Sequence, residues 1–296
     1  TCAGDTVQLA PGDGESVFDY YELRENDQDL SSEAVPAVTL SAGQRAYVSL
    51  LLDLSSSTNT VKPELLASAR EFAQALIASS DKIFVGIRVF AGDATPATAA
   101  LPTRDLVFLG QVLDQLANTN GGLTDTGSTN LYGAFIRGVN DLGDYQGVVI
   151  AENGGGVVTS GYTVVFTDGR DTAGLETLSS ARVAVQNARA IVSGIDGNME
   201  GNVQTYAVAL EGADYTPEAR ERLIEVIGGD TRNLYEGSLD ELQAQFRSLA
   251  ARIGAQASST HLLTYCSAAR SGTRTVTLRP ARSRGGSDND STFIEF

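Results

Sequence analysis

Three short segments carry the oxygen donors from which a hard metal site is made. Asp53-Leu54-Ser55-Ser56-Ser57 follows one apolar run, Thr167-Asp168-Gly169-Arg170 follows another, and Gly127-Ser128-Thr129-Asn130 closes a polar loop. Together they offer carboxylates at Asp53 and Asp168 and hydroxyls at Ser55, Ser57 and Thr129. Such donors suit Mg²⁺, or Mn²⁺ or Ca²⁺, rather than a soft metal. Mg²⁺ gives up its waters reluctantly, so a few protein ligands serve it well. A coordination position left to water is then open to a carboxylate from a partner protein. The plain alternative is that Ser55 and Ser57 cap a loop and Thr129 caps a helix. Asp125 and Asp171 lie nearby in sequence and read as solvated loop carboxylates.

These donors work only if the backbone brings them together. Residues 45–53 (RAYVSLLLD) form a nearly continuous apolar run ending in a carboxylate, as expected of a central strand buried on both faces. Residues 162–167 (YTVVFT) repeat that pattern before Asp168, and 83–90 and 203–210 predict further strands. Pro63 and Glu64 suit a helix start, and Leu65, Leu66, Ala69, Phe72, Ala73, Leu76 and Ile77 then share a helical face. Residues 106–109 predict a short strand and 110–117 a short helix, followed by a loop over 118–130 rich in Asn, Gly, Thr and Asp. A helical period runs through Leu131, Phe135, Ile136 and Val139. Residues 147–161 predict a hairpin or flap, because Gly154 to Gly156 interrupt regular structure. Helices are expected over 176–193, stopped by Gly194, and from Thr216-Pro217 to Gly228-Gly229. Ser238-Leu239-Asp240-Glu241 is a capping box opening a helix with Leu242, Phe246, Leu249 and Ile253 on one face.

This alternation predicts an α/β fold, a doubly wound, mostly parallel sheet flanked by helices. Ligands of such sheets bind at the carboxyl ends of the strands, where all three donor segments fall. The flanks differ. Residues 16–24, 34–40, 261–266 and 273–279 predict short strands, and 285–290 a polar turn. Arg270, Arg274, Arg279, Arg282 and Arg284 cluster in the tail, where salt bridges to an acidic chain are the expected use.

Asp-x-Ser-x-Ser after an apolar strand, Thr in a Gly-rich loop and Thr-Asp-Gly after a later apolar strand resemble, in that order, the von Willebrand factor A domain and its metal-ion-dependent adhesion site. The resemblance spans Arg45 to Ala255, and all five expected positions are filled. It implies that Ser55, Ser57 and Thr129 bind the metal through hydroxyls, with Asp53 and Asp168 acting directly or through water. It also implies a protein ligand that supplies an acidic residue. More weakly, Phe18–Glu25 and Leu263–Leu278 resemble segments that bracket A domains in bacterial surface or secreted proteins. The expected division is an N-terminal β flank at 1–44, the A-like domain at 45–255, and a C-terminal β tail at 256–296 that packs with the N-terminal flank in a small β-rich subdomain.

The composition narrows the function classes. Among 296 residues, 21 are Lys or Arg and 37 are Asp or Glu, for a net charge of −16. A surface this acidic repels nucleic-acid phosphates and anionic membranes and favours cations. The dense apolar run Ala46–Leu52 is far too short to span a bilayer, which takes about 20 residues. His261 is the single histidine and reads as a packed or surface residue, so a Ser-His-Asp mechanism would hang on that residue alone. The chain begins at Thr1 with no leader, so we expect a processed or trimmed chain. Cys2 and Cys266, the two cysteines, leave open a disulfide between them in an oxidising compartment, a lipid anchor at Cys2, or two free thiols. The leading expectation is a metal-dependent protein-binding module, not an enzyme, outside the cell, on its surface or in the periplasm. The alternative is a structural or assembly subunit in which the A-like domain is a scaffold and the metal only stabilises loops.

Overall fold

The computed structural model describes residues 21–30, 37–40, 44–152, 159–189, 192–193, 199–200, 203–210, 215–258, 261–264, 275–280 and 292–295. The chain divides into two units, Thr1–Ala42, Ser193–Asn198 and Ser259–Phe296 in the smaller and Gly43–Val192 and Met199–Ser258 in the larger. The smaller unit begins with the hairpin β1 (Tyr21–Glu25) and β2 (Gln28–Asp29). Its two-residue turn, Asn26-Asp27, has positive φ at both positions (52° and 63°), the turn geometry that matches strand twist. Strand β3 (Ala37–Leu40) follows.

The larger unit is built on β4 (Arg45–Asp53), whose residues from Ala46 onward are all buried. Its crossover helix α1 (Lys62–Ser79) starts with Pro near its N-terminus and buries the seven-residue apolar face expected from the sequence. Strand β5 (Ile83–Phe90) pairs parallel with β4, and β6 (Ala97–Thr103) pairs antiparallel with β5 at the sheet edge. Helix α2 (Leu106–Asn118) corrects the strand expected at 106–109. The Asp105 carboxylate accepts the N–H groups of Val107 and Phe108, each at 3.0 Å, and this cap turns the segment into a first helical turn. Helix α3 (Leu131–Glu152) runs through residues 147–152, and β7 (Thr159–Thr167) already includes 159–161, so the expected hairpin is reduced to 153–158, outside the described residues.

Helix α4 (Leu178–Arg189) is shorter than the 176–193 expected; Val192 and Ser193 belong instead to β8 (Val192–Ser193), which forms a ribbon with β9 (Met199–Glu200). Gly194 lies outside the described residues. Strand β10 (Val203–Leu210), helix α5 (Pro217–Val226), edge strand β11 (Leu234–Gly237) and helix α6 (Leu239–Ser258) complete the unit. Thr216 caps α5 through the Ala219 N–H, and Glu241 accepts both the N–H and the hydroxyl of Ser238 before α6. The sheet order is β11-β10-β7-β4-β5-β6, parallel except at β6. Helices α1, α2 and α6 contribute to the apolar layer on one face, and α3, α4 and α5 to that on the other. The rings of Phe72 (α1), Phe166 (β7) and Phe246 (α6) meet with centroids 5.3–6.2 Å apart, fixing two helices to the strand that delivers Asp168. Among the described residues no helix is long and apolar enough to cross a membrane.

The chain returns to the smaller unit with β12 (His261–Thr264), β13 (Thr275–Pro280) and β14 (Thr292–Glu295). They make an antiparallel sheet β14-β13-β1-β2, with Leu23 opposite Leu278, and a β3–β12 pair with His261 opposite Leu40. Cys2, Cys266, and Arg270, Arg274, Arg282 and Arg284 of the tail cluster lie outside the described residues; Arg279 lies in β13.

Candidate metal centre

The strand order turns back on itself at β4: α1 leads to β5 on one side, and α3 leads to β7 on the other. That reversal opens a crevice at the carboxyl ends of β4 and β7. Asp53 is the last residue of β4 and Asp168 the first after β7. The parallel register sets Leu52 beside Phe166, so Asp53 and Thr167 come side by side one step later. The Thr167 hydroxyl donates to Asp53 Oδ2 at 2.8 Å, and the Ser55 N–H donates to Oδ1 at 3.0 Å.

From Asp53 the donors continue in a chain. Ser55 Oγ lies 3.1 Å from Ser57 Oγ, and the Ser57 hydroxyl donates to Asp168 Oδ1 at 3.1 Å. The Thr58 hydroxyl donates to the carbonyls of Asp53 (3.0 Å) and Ser55 (2.8 Å), drawing the loop tight beneath the two serines. Thr129 is buried and tied to the Asp168 loop through its backbone: its N–H donates to Thr172 Oγ1, and its carbonyl accepts the N–H groups of Thr172 and Ala173. Four of the five expected residues thus share one hydrogen-bonded chain, and the fifth is held by the loop that carries the last of them.

The plainer roles for these hydroxyls fall to other residues. Ser55 stands at the N-cap of the short 3₁₀ turn Ser56–Thr60, yet its side chain makes no cap hydrogen bond. At the start of α3 it is Asn130, not Thr129, whose side chain accepts the Gly133 N–H, at 3.0 Å. A Cβ on Gly133 would come within 2.3 Å of that Asn130 amide, so the cap needs the glycine. Asp125 and Asp171 do more than face solvent: Asp125 accepts the Gly127 N–H and the Ser128 hydroxyl, and Asp171 the N–H groups of Tyr132 and Gly174.

The electrostatics single out Asp53. It is fully buried, and among the described residues no ion pair reaches it. Burial pushes its carboxyl up to about 6, the hydrogen bonds from Ser55 and Thr167 oppose that rise, and the nearby Asp168 charge adds to it. A buried carboxylate with neutral donors and a second carboxylate close by is short of positive charge. A hard divalent cation meets that need, and the donor set, two carboxylates and three hydroxyls, is of the type it takes. Among the described residues no group of three or more His, Cys, Asp or Glu side chains gathers, so hydroxyls make up the balance of any such shell. Thr167, Thr58 and Thr172 support the centre without standing out by residue type. Only Thr167, inside Thr-Asp-Gly, carried a hint in the sequence.

No protein-family model matches the chain, and no curated protein sequence matches it. Solved structures do resemble it. The pilus adhesin SpaC from Lactobacillus rhamnosus GG, in its open conformation, is 12% identical at a TM-score of 0.51, over 86% of this chain and 36% of that one. The D319A mutant of the PilB minor pilin from Streptococcus sanguinis is 11% identical at a TM-score of 0.51, over 72% of this chain and 62% of that one. The vWF domain of the type V pili tip protein Mfa5 from Porphyromonas gingivalis is 11% identical at a TM-score of 0.48, over 75% of this chain and 99% of that one. At these identities the likeness is one of fold, and the chain spans about a third of the adhesin and three fifths of the minor pilin.

Proposed function

We propose that this chain, whose doubly wound sheet brings the donors of the Asp-x-Ser-x-Ser and Thr-Asp-Gly segments together, is a metal-dependent, adhesion-type protein-binding module acting at the cell surface, outside the cell or in the periplasm. Asp53, Ser55, Ser57, Thr129 and Asp168 hold one Mg²⁺, or Mn²⁺ or Ca²⁺ in its place. The observation that supports this most is the fully buried Asp53 carboxylate, which lies at the switch point with neutral donors and no ion pair among the described residues. The bound cation supplies a Lewis-acidic position that a carboxylate from a partner protein completes.

The chain's own residues do the rest. Asp53 anchors the charge from the sealed end of β4, while Thr167 and the Ser55 N–H fix its two oxygens. Ser57, exposed, carries the site from the buried Asp168 to the surface, where a partner can reach it. In this reading the A-like domain runs over 45–255, with β flanks at 1–44 and 256–296. A Cys2–Cys266 disulfide or a lipid on Cys2 fits the proposed location.

The named neighbours include an adhesin and a minor pilin, so an assembly subunit with a purely scaffolding A-like domain is the second reading. Capture of surface proteins by the immobilised chain separates the two. Binding that is present in Mg²⁺ and lost both in chelator and in Asp53→Ala, with the circular dichroism spectrum kept, supports the module. Equal capture under all three conditions supports the scaffold.

A further inference from the structure

The loop after β7 does two things. It carries Asp168, and it grips the loop that carries Thr129. The Thr129 N–H donates to Thr172 Oγ1 at 2.8 Å. The Thr129 carbonyl accepts the N–H groups of Thr172 at 2.8 Å and Ala173 at 3.0 Å. Asp171 Oδ2 accepts the Tyr132 N–H at 3.1 Å, and its Oδ1 accepts the Gly174 N–H at 2.9 Å, closing the turn. Gly174 has φ +64°, which lets the chain turn there at no steric cost. Thr172 itself is exposed, so its hydroxyl contributes a hydrogen bond rather than packing.

We propose that Thr172 is a positioning residue of the metal centre: its hydroxyl locks the Thr129 backbone to the Asp168 loop, so that the Thr129 hydroxyl and the Asp168 carboxylate meet a cation as one preformed unit. This rests on the metal reading above. The physical reason is pre-organisation, since a ligand already held in place loses less freedom on binding. The Thr172 N–H and Ala173 N–H bonds to the Thr129 carbonyl come from main chain and survive any side-chain change. Only the bond to the Thr129 N–H depends on the residue at 172, which makes that bond separable by mutation.

Thr172→Val keeps the shape and removes the acceptor oxygen, whereas Thr172→Ser keeps the oxygen and removes a methyl. Neither opens a cavity, because the side chain is exposed. Mn²⁺ is titrated calorimetrically into the full chain, and amide hydrogen exchange at Thr129 is followed in chelator. Loss of an outer-shell partner costs about 10- to 100-fold in metal affinity. Thr172→Val is expected to lose about tenfold in Mn²⁺ affinity and to exchange the Thr129 amide faster, and Thr172→Ser to match the wild type in both, with circular dichroism as the fold check. Wild-type binding with Thr172→Val equally tight, or with Thr172→Ser as weak as Thr172→Val, overturns this role alone. A wild type that takes up no Mn²⁺ overturns the metal reading and this role with it.

Discussion

Adjacent strands β4 and β5 each lead to an aspartate, and the two aspartates live in opposite surroundings. Asp53 closes β4 inside the protein, with burial pushing its carboxyl up to about 6. Asp93, three residues beyond β5, is half-buried and held below the usual carboxylate range by hydrogen bonds, chiefly from the Thr124 hydroxyl and also from the N–H groups of Asp125 and Thr124. Asp93 spends its charge on structure: it pins residues 124–125 while Asn130 Nδ2 reaches its carbonyl at 3.0 Å. Gly92 beside it has no room for a Cβ, which would sit 2.1 Å from Asp125 Oδ2 and Ser128 Oγ. One carboxylate is satisfied by shaping the loop before Thr129, and the other lies buried with no ion pair among the described residues. A charge that the fold leaves short is a better pointer to a ligand than a charge count.

The larger effect is expected at Asp53. Its carboxyl binds a proton more tightly in the folded chain than in the unfolded one, so it costs no stability below its ordinary value of 3.8. The cost grows as pH rises from about 4 to about 6 and is complete above that. A shift of about two pH units corresponds to roughly 3 kcal/mol. In chelator, Asp53→Asn should therefore gain on the wild type by an amount of that order between pH 4 and pH 7, measured by urea unfolding at each pH. Saturating Mg²⁺ should remove or reverse the gain. An unchanged difference across that range would show that Asp53 is not short of charge.

A smaller effect of opposite sign is expected at Asp93. Its lowered carboxyl stabilises the fold above its ordinary value, and that contribution is lost as pH falls. The group is solvent-accessible, so the effect is screened and stays below about 1 kcal/mol. Asp93→Asn should lose a little stability at pH 7, less near pH 3, and keep the fold. A pH trend like that of Asp53→Asn would erase the contrast between the two strand ends.

Much of this was legible in the sequence because its carriers are local. The apolar run into Asp53, the spacing Asp-x-Ser-x-Ser and the Thr-Asp-Gly after a second apolar run placed the donors at the carboxyl ends of β4 and β7. The α/β sheet followed from the alternation of buried strands and amphipathic helices. What escaped depends on contacts between distant residues or on competing local patterns. Leu106-Val107-Phe108-Leu109 has the residue types of a strand, and only Asp105, acting as an N-cap, shows it to be a helix start. Edge strand β6, with Pro102 inside it, gave no strand pattern, which is where a proline is tolerated in a sheet. Thr172 acts on a residue 43 positions away, and no spacing rule links them. Asn130, the residue directly before α3, takes the cap, and Gly133 leaves room for its side chain.

Calorimetric titration of Mg²⁺ and Mn²⁺ into chelator-treated wild type and Asp53→Ala, with circular dichroism as the fold check, decides whether the carboxyl ends of β4 and β7 hold a cation. One divalent cation is expected per wild-type chain, with at least a hundredfold loss of affinity for Asp53→Ala, about 3 kcal/mol. A folded wild type that takes up neither metal, or an Asp53→Ala that binds as tightly as the wild type, would contradict the metal reading.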